Sequence, residues 1–190
     1  EQVGKRAIEQ GCDGECRLRF LGDAIRARQI LVHLLTNACR FTGEEGRIRI
    51  DCERVRGPVG PDRLRGTGPW IRIDVIDDGI GIPADRLEAV FEPFVQGDNH
   101  RYIRQVDGSG LGLAISRYLA RVMGGDLTVR SEPGRGSCFS LWLPAPAELS
   151  ELRRERRLFD RDAEGLEFLS AHLLGRLRAI METYVDRLRR

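Results

Sequence analysis

Apolar positions keep two rhythms along this chain, and the switches between them predict the order of elements. Val3, Ala7 and Ile8 lie on one side of a helical spiral, so residues 1–10 read as the end of a helix, broken by Gly11-Cys12-Asp13-Gly14. Cys16-Arg17-Leu18-Arg19-Phe20 alternates and predicts a short strand. Ile30, Leu31, Leu34, Leu35 and Ala38 return at helical spacing behind Asp23, a good N-cap, so a helix is expected to about Phe41. Gly43 and Gly46 end it, and Ile48, Ile50 and Cys52 alternate in a strand over 47–55. Residues 56–69, glycine- and proline-rich, predict a long hairpin loop, after which a strand over 70–76 pairs back.

Pro83 stands near the start of a short helix expected over 84–91, and residues 95–109, poor in apolar side chains, read as a flexible loop. Gly110 opens a helix to about Met123, with Leu111, Leu113, Ala114, Ile115, Tyr118, Leu119 and Val122 as its apolar side and Gly124-Gly125 as its stop. Strands over 126–131 and 137–143 follow, joined by Glu132-Pro133-Gly134-Arg135-Gly136. Pro144 and Pro146 mark a boundary. Beyond it Leu166, Leu169, Leu173, Leu177, Ile180, Tyr184 and Leu188 are spaced 3, 4, 4, 3, 4, 4, one continuous helical stripe in a highly charged tail. This order predicts an α+β sandwich, a mixed or antiparallel sheet carrying its helices on one face. It divides the chain into a domain over 1–146 and a helical extension over 147–190.

Composition narrows the classes. The chain has 190 residues, enough for one domain with an appendage, and its 31 basic and 29 acidic residues leave a net charge of +2. That balance gives no stripe for nucleic acid and no polybasic membrane arm. No apolar run approaches a membrane span, and no signal-peptide pattern is present. The chain does not begin with Met, so a piece of a longer protein is expected, and the parent could carry a membrane anchor. Every basic residue except Lys5 is arginine, which reads as a compositional bias and weakens any special meaning of a single Arg. Cys12, Cys16, Cys39, Cys52 and Cys138 are odd in number and match no disulfide or metal framework, so reduced, packed thiols of a cytoplasmic protein are expected.

Four short patterns could carry chemistry. Asn37-Ala38-Cys39-Arg40-Phe41-Thr42 closes a helix, and a carboxamide oxygen suits Mg²⁺, although a helical Asn alone reads equally as a cap or surface residue. Asp77-Asp78-Gly79-Ile80-Gly81 presents a carboxylate where a strand ends; it can accept from an exocyclic amine such as that of adenine, or simply form a turn. Phe91-Glu92-Pro93-Phe94 reads as core or as the fastening of a moving loop. Gly108-Ser109-Gly110-Leu111-Gly112-Leu113 leads glycine-rich backbone into a helix N-terminus, a ready cradle for phosphate.

In this order and spacing the patterns resemble the ATP-binding catalytic domain of sensor histidine kinases, over roughly residues 1–144. Residues 29–42 are similar to that family's N box, 77–81 to its G1 box, 91–94 to its F box and 108–113 to its G2 box. Gly134-Arg135-Gly136-Ser137-Cys138-Phe139 is similar to its last glycine motif. The resemblance implies a Bergerat-type two-layer α/β sandwich and Mg²⁺ and ATP as cofactors. It implies that Asn37 holds Mg²⁺, that Arg40, where Lys is usual, faces the phosphates, and that Asp77 takes the adenine amine. Gly79 and Gly81 would let the base approach and Ser137 would help hold it. Residues 95–109 would be the ATP lid, with Arg104 at a position that often carries Arg. Gly108, Ser109, Gly110, Leu111 and Gly112 would wrap the triphosphate. The catalytic set implied is Asn37, Arg40 and Arg104.

Three departures stand out. His33 replaces a frequent first Asn of the N box, and Asp107 stands where Gly is usual. No phosphoacceptor motif is present; His100 falls in the lid, and His172 on the tail reads best as an ordinary helical histidine. The resemblance therefore implies a protein histidine kinase module that passes the γ-phosphoryl group to a histidine hairpin on a separate dimerisation domain. That would occur within a dimeric parent serving a response regulator, and the fragment alone would not autophosphorylate. The alternative is a degenerate, non-catalytic nucleotide-binding or dimerisation module. A serine kinase of the anti-sigma-factor type shares the fold but generally lacks the Phe-Glu-Pro-Phe run.

Overall fold

The computed structural model of the protein describes residues 7–10, 18–56, 64, 68–94, 110–146 and 166–169. A five-stranded sheet runs in the order β1 (Ala7–Gln10), β3 (Arg47–Val55), β4 (Trp70–Asp77), β6 (Gly136–Pro144), β5 (Asp126–Glu132). β1 joins β3 in parallel, and every other pairing is antiparallel, so the sheet is mixed and mainly antiparallel as expected. A separate two-stranded ribbon pairs β2 (Leu18–Leu21) with β7 (Leu166–Leu169).

α1 (Ala24–Phe41) starts where the sequence places it, because Asp23 Oδ1 accepts from Ile25 N at 2.8 Å and Arg26 N at 3.2 Å. Its buried stripe is Ala27, Ile30, Leu31, Leu34, Leu35, Ala38 and Cys39. This stripe meets the alternate residues Ile48 and Ile50 of β3, Ile71, Ile73 and Val75 of β4, and Phe139, Leu141 and Leu143 of β6 in one core. α2 (Gly112–Val122) packs beside α1 in the same helical layer and buries Ser116 and Ala120. Arg72 and Asp74, which alternate with the core positions of β4, carry charge instead: Arg72 pairs with Asp74 at 2.9 Å and Glu53 at 3.1 Å and lies over the Trp142 ring. One sheet face is thus apolar under helices and the other largely polar.

Four expectations need correction. Ala7–Gln10 is a strand, not a helix end; four residues are too few to hold a helix, and the exposed edge of β3 offers them ladder partners from Arg47 to Ile50. The single helix expected over 84–91 is two 3-10 turns, Ala84–Arg86 and Ala89–Phe91. Leu166–Leu169 is a strand on β2, so the helical stripe does not begin there; the rest of it lies outside the described residues. In α2 the apolar residues do not share one side, since Ile115, Tyr118 and Val122 are exposed. Cys39, Cys52 and Cys138 form no disulfide. Among the described residues no helix is long and apolar enough to cross a membrane.

Candidate functional site

The end of β4 carries Asp77, and the sheet itself fixes it. Ile48 on β3 and Ser137 on β6 stand opposite it in register. Only 6% of Asp77 is exposed, and its Oδ1 accepts from Gly79 N at 3.0 Å. Burial pushes its carboxyl above the ordinary value; the amides of Gly79 and Ser137 pull the other way, and the neighbouring charge of Asp78 adds a smaller upward push. A charged acceptor is therefore kept largely out of water at the mouth of a turn.

The turn is tied to the rest of the domain on both sides. Asp78 Oδ1 accepts from Arg47 N at 2.7 Å, and Ile80 N donates to Phe41 O at 3.2 Å, so the loop is stitched to β3 and to the last turn of α1. Gly134 N donates to Ile80 O at 2.8 Å. Ser131 Oγ accepts from Ile82 N and donates to Gly136 O, both at 2.7 Å, and touches Ser137 Oγ at 3.1 Å. A hydroxyl has one hydrogen, and that of Ser131 is used on Gly136, so Ser137 is the donor in the serine pair. Ser137 then has only acceptor capacity left for anything else. Ser131, which no motif singled out, is the hub of this end; a lone serine in an alternating strand gives no signal for it.

The glycines here serve the protein. A Cβ on Gly79 would run into the Phe41 carbonyl, and one on Gly81, whose φ is +69°, into the Glu132 carbonyl. Gly136, at φ +91°, would strike the Asp77 carbonyl. Close backbone packing alone accounts for all three.

The other end of the candidate site is built on helix ends. Asn37 and Arg40, three residues apart, share a face in the last turns of α1, and both are half-buried. The Asn37 carboxamide has no hydrogen-bond partner among the described residues. Gly110 takes φ +67°, and its carbonyl accepts from Phe94 N at 3.2 Å. α2 then begins behind Leu111 with no side-chain cap. Among the described residues, an added Cβ at Gly112 would meet only His33 Nδ1, at 4.0 Å. His33 Nδ1 is itself 3.2 Å from Ser116 Oγ. Arg104, Gly108 and Ser109, with Asp107, lie outside the described residues.

The F box divides. Phe91 is buried and meets Phe139 edge to face, ring centres 6.4 Å apart. Phe94 is 74% exposed and adopts φ +66°. Arg117 of α2 lies 4.3 Å over the Phe91 ring and pairs with Glu88 at 2.9 Å and with Asp126 at 3.3 Å, while Arg121 reaches the same Asp126 oxygen at 3.0 Å. Sequence reasoning missed this brace. The signal for it was the four-residue spacing of Arg117 and Arg121 before an acid that opens a strand.

The donor sets fit a magnesium nucleotide. An uncapped helix start with open space at its first residue suits phosphate, and a partnerless carboxamide oxygen suits a hard cation. Among the described residues no group of three or more His, Cys, Asp or Glu side chains could hold a metal ion, so a cation here would complete its shell from phosphate and water.

Comparison with known proteins gives the family and the fold. Residues 22–147 match the family model described as histidine kinase-, DNA gyrase B-, and HSP90-like ATPase. The aerobic respiration control sensor protein ArcB of Escherichia coli K12 is 39% identical over 134 residues, 70% of this chain but 16% of that protein. The full-length structure of ShkA in complex with AMPPNP is similar with a TM-score of 0.53 and 30% identity, over 76% of this chain and 26% of that one. The catalytic domain of histidine kinase ThkA has a TM-score of 0.54 and 27% identity, over 74% of this chain and 80% of that domain. The chain thus spans only a small part of the length of relatives such as ArcB.

Proposed function

The chain belongs to the family of histidine kinase-, DNA gyrase B-, and HSP90-like ATPases, and on that footing we propose that it is the ATP-binding catalytic module of a two-component sensor histidine kinase. In this reading residues 1–146 form the catalytic domain and 147–190 an extension. The module works in the cytoplasm, binds Mg²⁺·ATP, and hands the γ-phosphoryl group to a histidine on a dimerisation hairpin of the parent protein, from which it passes to a response regulator.

The observation that carries the proposal is the Asp77 carboxylate. It is buried and held by backbone amides at the lip of a turn stitched to α1. Such a group favours a ligand that brings a donor, and the exocyclic amine of adenine is one. The acceptor-only Ser137 hydroxyl beside it suits the same amine or a bridging water. Asn37 would hold Mg²⁺, which supplies charge neutralisation at the phosphates. Arg40 and Arg104 would serve the transferring group, and Gly108, Ser109, Gly110, Leu111 and Gly112 would serve the triphosphate with backbone amides. Phosphoryl transfer asks mainly for positioning and charge neutralisation, and these residues provide both. Ile115, Tyr118 and Val122, exposed at three- and four-residue spacing on α2, with exposed Phe94, offer an apolar face that suits a partner helix.

A titration of ATP with and without Mg²⁺, followed by phosphotransfer to the parent's hairpin, tests this reading. Mg²⁺-dependent binding and acid-labile phosphate on the hairpin are expected. Asn37→Ala should remove most of the Mg²⁺ dependence, weakening Mg²⁺·ATP about tenfold while leaving metal-free ATP nearly unchanged. Binding without any transfer would leave the degenerate module, which His33 and Asp107 favour; no binding at all would reject both.

A further inference from the structure

His33, Asn37 and Arg40 follow each other at spacings of four and three on α1, so they line one face of that helix. The imidazole of His33 crosses to α2, its Nδ1 standing 3.2 Å from Ser116 Oγ. Ser116 is fully buried, and a buried hydroxyl without a partner is costly, so this bond matters to the seating of α2. The contact falls one turn past Gly112, the first residue of α2, whose open side faces the same ring nitrogen. One side chain therefore bonds to the second turn of α2 and lies beside its first, and it stands on the α1 face that carries Asn37.

We propose that His33 is a positioning residue: its bond to Ser116 fixes the uncapped start of α2 relative to Asn37 and Arg40, and so sets affinity for the triphosphate of the nucleotide but not for its base. The inference rests on the nucleotide reading of the site. It needs the Nδ1 end of the ring only. Asparagine carries its side-chain oxygen or nitrogen the same number of bonds from the backbone, so it keeps the bond to Ser116 and gives up the rest of the ring. Leucine keeps bulk and loses the bond.

The test measures dissociation constants for ATP and for adenosine, with Mg²⁺ present, on the whole chain and on His33→Leu, His33→Asn and Ser116→Ala. His33→Leu and Ser116→Ala should each weaken ATP about five- to tenfold and leave adenosine unchanged. His33→Asn should bind ATP like the wild type, and His33→Leu combined with Ser116→Ala should be no weaker than either alone. Ser116→Ala removes a single oxygen and decides the matter if His33→Leu fails to fold. Equal losses for ATP and adenosine, or no loss in either folded variant, overturn the proposal. So does His33→Asn as weak as His33→Leu, which would give the outer ring nitrogen a direct role. A wild type that binds neither ligand fails the nucleotide reading itself, and is distinguished by that from failure of the His33 role alone.

Discussion

The two ends of the candidate site are built from the same residue type to opposite purposes. At the Asp77 end the glycines are filled by protein: Gly79 by the Phe41 carbonyl, Gly81 by that of Glu132, Gly136 by that of Asp77. At the α2 end, among the described residues, only the His33 ring comes within contact distance of the Gly112 position. The first end is a continuation of the sheet, closed by hydrogen bonds before any ligand arrives. The second is a gathering of helix ends, where α2 starts without a side-chain cap. A glycine motif in sequence cannot tell these apart. What differs is whether the missing Cβ makes room for backbone or for something from outside.

Substitution by alanine separates the two purposes most sharply. Gly81→Ala must place a side chain at φ +69° against the Glu132 carbonyl, and it should cost on the order of 3 kcal/mol of folding stability, read by denaturant unfolding. Nucleotide binding would be lost with the fold. If Gly81→Ala unfolds like the wild type and loses only ATP, the first end also belongs to the ligand and the contrast is void.

Asp77→Asn comes next. The carboxamide can still accept from Gly79 N, so the turn survives, but the charged acceptor for the base is gone. ATP should weaken by about 100-fold, within the range for a hydrogen bond to a buried charge, while the melting temperature holds or rises because a desolvated charge has been removed. A collapse of stability with ATP affinity intact would make Asp77 a turn residue and nothing more.

Gly112→Ala probes the open end. Its Cβ meets no backbone, and alanine favours the helix, so stability should be kept or gain a few tenths to about 1 kcal/mol. ATP should nonetheless weaken about tenfold, and adenosine not at all, if that space belongs to phosphate. Unchanged ATP affinity would remove Gly112 from the cradle.

The same contrast explains what the sequence could tell. α1 was legible to the residue, since Asp23 caps it and its stripe has a period no strand can imitate. β3 and β4 were legible from alternation. Ala7–Gln10 was not, because four residues carry no period, and their pairing with β3 is a contact between segments far apart in the chain. The outward turn of Ile115, Tyr118 and Val122 was hidden because α2 is apolar on both sides, and a stripe facing a partner looks like one facing the core. Asp77, Asn37 and the glycines stood out through the family resemblance that their motifs carry together. The Ser131 hub was invisible, and the Arg117–Asp126 brace left only the spacing of Arg117 and Arg121 as a trace, since ordinary residues acquire such roles from neighbours elsewhere in the fold.

The smallest predicted effect concerns protons, and it again sets the two ends apart. Burial holds the Asp77 carboxyl above its ordinary value, so between an unfolded value of about 3.9 and that raised value the folded chain keeps a proton which the unfolded chain has released. More protons on the folded form mean that this group's contribution to stability falls as pH rises through the window. Adenine's amine needs the ionised acceptor, so ATP affinity runs the other way and drops as pH falls through the raised value. Opposite slopes of melting temperature and affinity, each a few-fold or a few degrees, are therefore expected from one residue. The nucleotide's own phosphates and the other carboxylates also titrate, so the quantity to measure is the difference between wild type and Asp77→Asn across the acid range. A difference that is flat in affinity, or that slopes the same way in both, means the carboxylate does not meet the base.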